Sequence, residues 1–193
     1  MLEKDDSLTI LKPLLPGISQ AISEAITEFN RDPLKIFYSN RTRASAINDL
    51  IVSKALMKFF NTKEIRIKQS RGCTYFFIKD KFLLRFKKFN RNLRTNNIPT
   101  HQSNKFLHQQ TLFDELPTPT NLFAGYTWDN LTGNYSDIYL TCPTGSTNEW
   151  SHWLVSEGAE IIPLTLKLPT PPDSPKKRVR AKGLKENAGN TEK

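Results

Sequence analysis

Six short runs of apolar, β-branched and aromatic residues, each closed by a turn signal, restrict this chain more than anything else in it. Ile65-Arg66-Ile67-Lys68, residues 73–78 and residues 82–89 come first, joined by Ser70-Arg71-Gly72 and Lys79-Asp80-Lys81, connections short enough for hairpins. Residues 121–128, 135–142 and 149–155 follow, separated by Asp129 to Asn134 and by Pro143-Thr144-Gly145-Ser146-Thr147. With no helix between them, the last three predict an antiparallel meander. Tyr126, Trp128, Tyr139, Trp150 and Trp153 make it the aromatic half of the core.

Helical periodicity occupies the N-terminal third. Residues 1–17 are polar and broken by Pro13, Pro16 and Gly17, which predicts a flexible entry. Ile18, Ile22, Ala25, Ile26 and Phe29 recur at three- and four-residue spacing and predict a helix over 18–30, stopped by Asn30-Arg31-Asp32-Pro33. Ser39 or Asn40 can cap a second helix over 41–60, with Ala44, Ile47, Ile51, Ala55 and Phe59 as its stripe and Leu50 and Met57 broadening it. A third helix runs from Pro99 through Gln110. The order is ααβββαβββ, an α+β fold in which two N-terminal helices pack on one face of an antiparallel or mixed sheet. At 193 residues the chain has material for one core, placed over 18–160. From 161 onward a Pro-rich and then basic composition predicts a disordered tail.

Charge is segregated along this scaffold. Residues 63–105 hold twelve Lys and Arg against Glu64 and Asp80, while residues 111–170 hold seven acids against Lys167 alone. Because side chains alternate across a strand, Phe82, Leu84 and Phe86 should face the core and Lys81, Arg85 and Lys87 the other side. A basic sheet face results, and its partner is DNA or RNA bound through phosphates by Lys81, Arg85, Lys87, Lys88, Arg91 and Arg94, with Tyr75 or Phe77 stacking on bases if they share that face. Arg41 and Arg43, at a helix start where cations are disfavoured, would act as phosphate clamps or be merely solvated. The alternative partner is an acidic protein docking on the same face.

Catalytic signatures are sparse. An acid on a helix, then a hairpin with a second acid and a lysine, gives Asp49, Asp80 and Lys87 a layout that resembles PD-(D/E)xK nucleases, but Arg85 stands where a metal-binding carboxylate belongs and would repel Mg²⁺. His101, His108 and His152 form no zinc motif, phosphate-binding and dinucleotide loops are absent, and neither a metal site nor a cofactor is expected. A metal-independent ribonuclease using Tyr75, Arg85, Lys87 and His101 is the enzymatic alternative. Cys73 and Cys142 lack spaced partners and read as buried free thiols. No run is long enough to span a membrane, and the first residues carry no apolar targeting segment, so a cytoplasmic, membrane-free protein is expected.

Ser174-Pro175-Lys176-Lys177 resembles the Ser-Pro-Lys-Lys elements of linker-histone tails, and Pro175-Lys176-Lys177-Arg178-Val179 resembles a nuclear-import signal. At domain scale, Arg41-Thr42-Arg43-Ala44-Ser45-Ala46-Ile47 with Asp49, Leu84-Arg85-Phe86-Lys87-Lys88, Asn97-Ile98-Pro99-Thr100, Thr120-Asn121-Leu122 with Gly125-Tyr126, and Thr141-Cys142-Pro143 are together similar to an uncharacterised bacterial family. The likeness covers residues 35–155. Its members occur in mobile-element or defence-type loci beside a regulator that joins a helix-turn-helix to a zinc peptidase, which implies a toxin–antitoxin-like or phage-defence pairing.

Overall fold

Arg71 and Gly72, and then Lys79 and Asp80, adopt positive φ and turn three successive strands back on one another. These are β1 Ile65–Ser70, β2 Cys73–Ile78 and β3 Phe82–Phe89. The computed structural model, which describes residues 1–96, 98–113, 118–129 and 131–154, continues with β4 Thr120–Asp129, β5 Asn134–Thr144 and β6 Thr147–Leu154. The six form one sheet in sequential order. Every pairing is antiparallel except β3 with β4, which run parallel from Phe82↔Thr120 to Phe89↔Thr127. Parallel neighbours need a crossover, and helix α4, His101–Leu107, lies within it. The fold is α+β with a mixed sheet. The predicted tail from 161 onward lies outside the described residues.

Three helices precede the sheet: α1 Lys4–Leu11, α2 Leu15–Arg31 and α3 Asn40–Phe59. The last two are the expected pair, and α1 corrects the expected flexible entry. Leu11 is 1% exposed and Leu14 is buried beside it, while the Leu2 amide donates to Thr120 Oγ1 at the start of β4. Pro16 does not interrupt this helical entry. It stands in the first turn of α2, where the missing amide costs nothing, and breaks no helix. On α3 the buried stripe is Ile47, Ile51, Ala55 and Phe59, whereas Met57, expected to broaden it, is exposed.

Both faces of the sheet are covered. Phe76, Ile78, Phe82, Leu84, Phe86, Leu122, Ala124, Tyr126, Leu140 and Trp150 join the core formed by α1, α2 and α3. On the opposite face, Tyr75, Phe77, Leu83, Phe89 and Phe123 pack with Phe106 of α4 into a second core, edged by Leu112 and Phe113. The expectation of a sheet covered on one side, with an open basic face on the other, is therefore corrected. Tyr75 and Phe77 are buried in the second core and unavailable for stacking. Trp153, expected in the core, is 54% exposed.

Gln109 fastens the second layer in place. Its Oε1 accepts from the Asn121 amide at 2.7 Å, and its Nε2 donates to Pro143 O at 2.7 Å and Asn121 O at 3.0 Å. Thr100 and Ser103 cap α4 reciprocally. Since α4 is held against the sheet, the chain leading into it, residues 90–96 and 98–100, must pass the end of β3. That passage forms one wall of the cleft described next.

Candidate nucleic-acid interface

Pairing between β2 and β3 covers only Phe76–Ile78 against Phe82–Leu84, so the Cys73 end of β2 parts from the far half of β3. Beyond Phe82–Leu84, β3 stays paired with β4 through Phe89. A cleft of about 880 Å³ opens at this notch. One wall is the start of α3, with Asn40, Arg41, Ala44, Ser45, Asn48 and Asp49, and the floor is Cys73, Arg85, Lys87, Lys88 and Phe89. Asn90, Arg91, Asn96, Ile98, Thr100 and Gln102 line the other wall, and Trp128 closes the end. Ser39 starts α3 by accepting the Thr42 amide at 3.1 Å, which sets where Arg41 stands.

Arg85 is the unusual member of this set. It is 7% exposed, and its only hydrogen bond among the described residues is from Nη2 to Cys73 Sγ at 3.0 Å. Its guanidinium lies 5.1 Å from the ring centre of Tyr75 and 5.4 Å from that of Phe106, contacts that offset part of the burial cost. No described carboxylate pairs with it, although a guanidinium has five donors to satisfy. Burial holds the Lys87 ammonium below the usual lysine range, with the Arg85 charge adding to the shift and Cys73 opposing it. Burial also lowers Lys88, and Arg43 adds to the effect. Cations are thus crowded here rather than balanced.

Backbone geometry fixes the position of Lys87. A Cβ on Gly125 would stand 1.8 Å from the Lys87 carbonyl oxygen, so only glycine lets β4 approach β3 this closely. Lys88 points to the opposite face, where its Nζ and the guanidinium of Arg43 lie 5.8 and 5.4 Å from the Trp128 ring. Asn48 Oδ1 and Trp128 Nε1, on two residues lining the cleft, have no hydrogen-bond partner among the described residues.

Of the residues expected to contact phosphate, Arg41, Arg85, Lys87, Lys88 and Arg91 share the cleft. Arg43 stands beside it over Trp128, and Arg94 is exposed and outside the lining. Lys81 is exposed at the other end of β3, about 20 Å from Lys87 at the usual rise per residue. Arg85 is buried, so it does not stand with Lys81 on an open face. Asp49 reaches the cleft, but Asp80 is paired with Arg66 at the β2–β3 turn, so the nuclease-like trio is not assembled. His101 is exposed and outside the lining. The Tyr75 hydroxyl is buried against Gln102 Nε2 at 2.6 Å, and burial raises its pKa. Among the described residues no group of three His, Cys, Asp or Glu could hold a metal ion, and no helix is long and apolar enough to cross a membrane.

The amides of Asn40, Asn48, Asn90, Asn96 and Gln102 line the cleft without having been assigned individually as contacts, and so does Trp128. The asparagine-rich loop after β3 was a signal for part of this set. Nothing local marks Asn48 or Trp128, which come together only across the fold. Comparison of the chain with protein-family models, curated proteins and solved structures returns no match.

Proposed function

We propose that this protein binds nucleic acid through phosphate contacts in the cleft at the β2–β3 notch. The observation that carries the reading is Arg85, a buried guanidinium with no acidic partner among the described residues, beside two lysines whose charged forms are disfavoured by burial and by neighbouring cations. A phosphate accepts from such donors and offsets their mutual repulsion. Arg41 and Arg91 extend the positive lining, Asp49 is the only acid in it among the described residues, and the surrounding amides can pair with sugar or base edges. A guanidinium only 7% exposed at the floor of a recess is better reached by a strand than by the broad surface of an acidic protein. The resemblance to a bacterial family from mobile or defence-type loci is in keeping with a regulatory or defence role for this binding.

Salt-dependent affinity tests it. Neutralising Z phosphates should give a slope of log affinity against log salt of about −0.9Z on duplex DNA and about −0.7Z on single strands. Arg85→Met with Lys87→Met should weaken binding and flatten the single-strand slope by about 1.4, if each residue neutralises one phosphate. A double variant that folds like the parent and binds DNA and RNA with unchanged affinity and slope would place the interface elsewhere. Purification with a stoichiometric protein, and no binding to either nucleic acid, would favour the acidic-partner alternative.

A further inference from the structure

The depth and charge of the cleft narrow what form of nucleic acid fits. A duplex holds its phosphates on the outside of a stiff cylinder and turns its bases inward. Arg85, only 7% exposed on the cleft floor, lies below the reach of such a surface, whereas Arg41 and Arg91 are exposed at its edges. An unpaired strand can lower a phosphate to that floor. A phosphodiester inside a strand brings one negative charge and needs room for chain on both sides. A terminal phosphomonoester carries about −1.5 to −2 at neutral pH, leaves chain on one side only, and offers three oxygens.

Two of the three floor cations stand on one side of β3. Arg85 and Lys87 point to the same face of β3 and both line the cleft. Like charges held this close disfavour each other, and the repulsion contributes to the lowered Lys87 pKa. A near-dianion neutralises both, where a monoanion leaves one positive charge buried. Elsewhere in the lining, Asn48 and Asp49 on the α3 wall offer acceptors for the hydroxyl and amino groups of the terminal sugar and base.

We propose that the cleft receives the phosphorylated end of an unpaired DNA or RNA strand, its terminal phosphomonoester seated on Arg85 and Lys87 and the strand leaving past Arg41 or Arg91. This rests on the nucleic-acid reading above and specifies its substrate class. Selection works by charge and access. A hydroxyl end leaves the two cations with a diester at best, and a blunt duplex cannot bring its end phosphate to the floor without fraying.

The experiment uses the full chain and fluorescence anisotropy, with unlabelled competitors displacing an internally labelled single-stranded oligonucleotide. Competitors of one sequence carry a 5′-phosphate, a 3′-phosphate or only hydroxyl ends, as DNA and as RNA, alongside a blunt phosphorylated duplex and inorganic phosphate. One phosphorylated single strand should compete about tenfold better than its hydroxyl-ended counterpart, the usual scale for an added charge-assisted contact. Arg85→Met and Lys87→Gln should each bring that ratio towards one, with Lys81→Gln leaving it unchanged. Two substitutions of different burial keep the test valid should one misfold. Equal competition by phosphorylated and hydroxyl ends, or by the duplex, overturns the end-binding proposal while leaving nucleic-acid binding intact. A ratio that persists in both variants, or inorganic phosphate competing as well as the phosphorylated strand, also overturns it. If no oligonucleotide binds, both readings fall together.

Discussion

Arg85 shows how one residue can be placed against the stability of its own fold. Burying a guanidinium with no carboxylate among the described residues costs more than the two ring contacts return, so an apolar side chain of similar length should fit the site better. Arg85→Met is therefore expected to raise the stability of the free protein by about 1 kcal/mol, read as a higher urea midpoint with an unchanged m-value. A clear loss of stability would mean that the arginine is structural. The two cysteines give a second contrast. Cys142 is fully buried, and burial pushes its thiol up to about 12, while Cys73 lines the cleft. In the folded protein at pH 8 only Cys73 should react with a thiol reagent, and Cys142 only after unfolding. Linkage has a definite sign here. The folded thiol keeps its proton where the unfolded one has lost it, so stability falls as pH rises from about 9 towards 12. Lys87 and Lys88 pull the other way, their penalty being relieved as pH rises into the ordinary lysine range. Urea midpoints at pH 8 and 10.5 should show a smaller alkaline loss in Cys142→Ala than in the parent.

Among the elements, α3 serves both stability and the cleft. Its buried stripe faces the core, while Asn40, Arg41, Ala44, Ser45, Asn48 and Asp49 form the cleft wall at its N-terminal half. Lys54–Glu28 at 2.5 Å and Lys58–Glu24 at 3.5 Å tie its other half to α2, but these half-exposed pairs contribute little. The cap matters more to the wall. Ser39→Ala removes the hydroxyl that accepts the Thr42 amide and should cost about 1 kcal/mol in chemical denaturation. A change within measurement error would show that the first turn is held by its side-chain contacts instead. On the sheet, β3 sets the site because it is paired with β4 along its whole length and with β2 along only part of it. Gly125 makes the first of these possible.

At the scale of the molecule, two cores share one sheet, and the first is completed by a segment expected to be a flexible entry. Leu11 is buried among α2, α3 and the sheet. Leu11→Ala should cost about 2–5 kcal/mol, against less than about 0.5 for Leu131→Ala at a 96% exposed position. Thermal and urea denaturation of the pair would read this directly. Similar values for both would mean that α1 is not integral to the fold. The second core has a functional consequence. By covering the face that charge patterning alone left open, it converts a basic surface into a recess and selects which cations remain in it.

Much of the fold was legible along the chain because strands, turns and amphipathic helices are local signals. The hairpin turns at Gly72 and Asp80, the meander of β4, β5 and β6, and the stripe of α3 all follow from spacing within a few residues. The crowding of Lys and Arg on β3 was equally visible, and five of the eight expected contacts do share one cleft. Tertiary structure decided the rest. Alternation along a strand says which residues share a face but not what covers that face, so Arg85 read as exposed until α4 and Phe106 were seen packed over it. The short α1 lacked a long periodic stripe, and its leucines acquire meaning only against residues far away in sequence. The meeting of Asn48, Arg85, Gln102 and Trp128 depends on a partial strand pairing and a parallel crossover. Both are non-local, which is why no window of the sequence contains them.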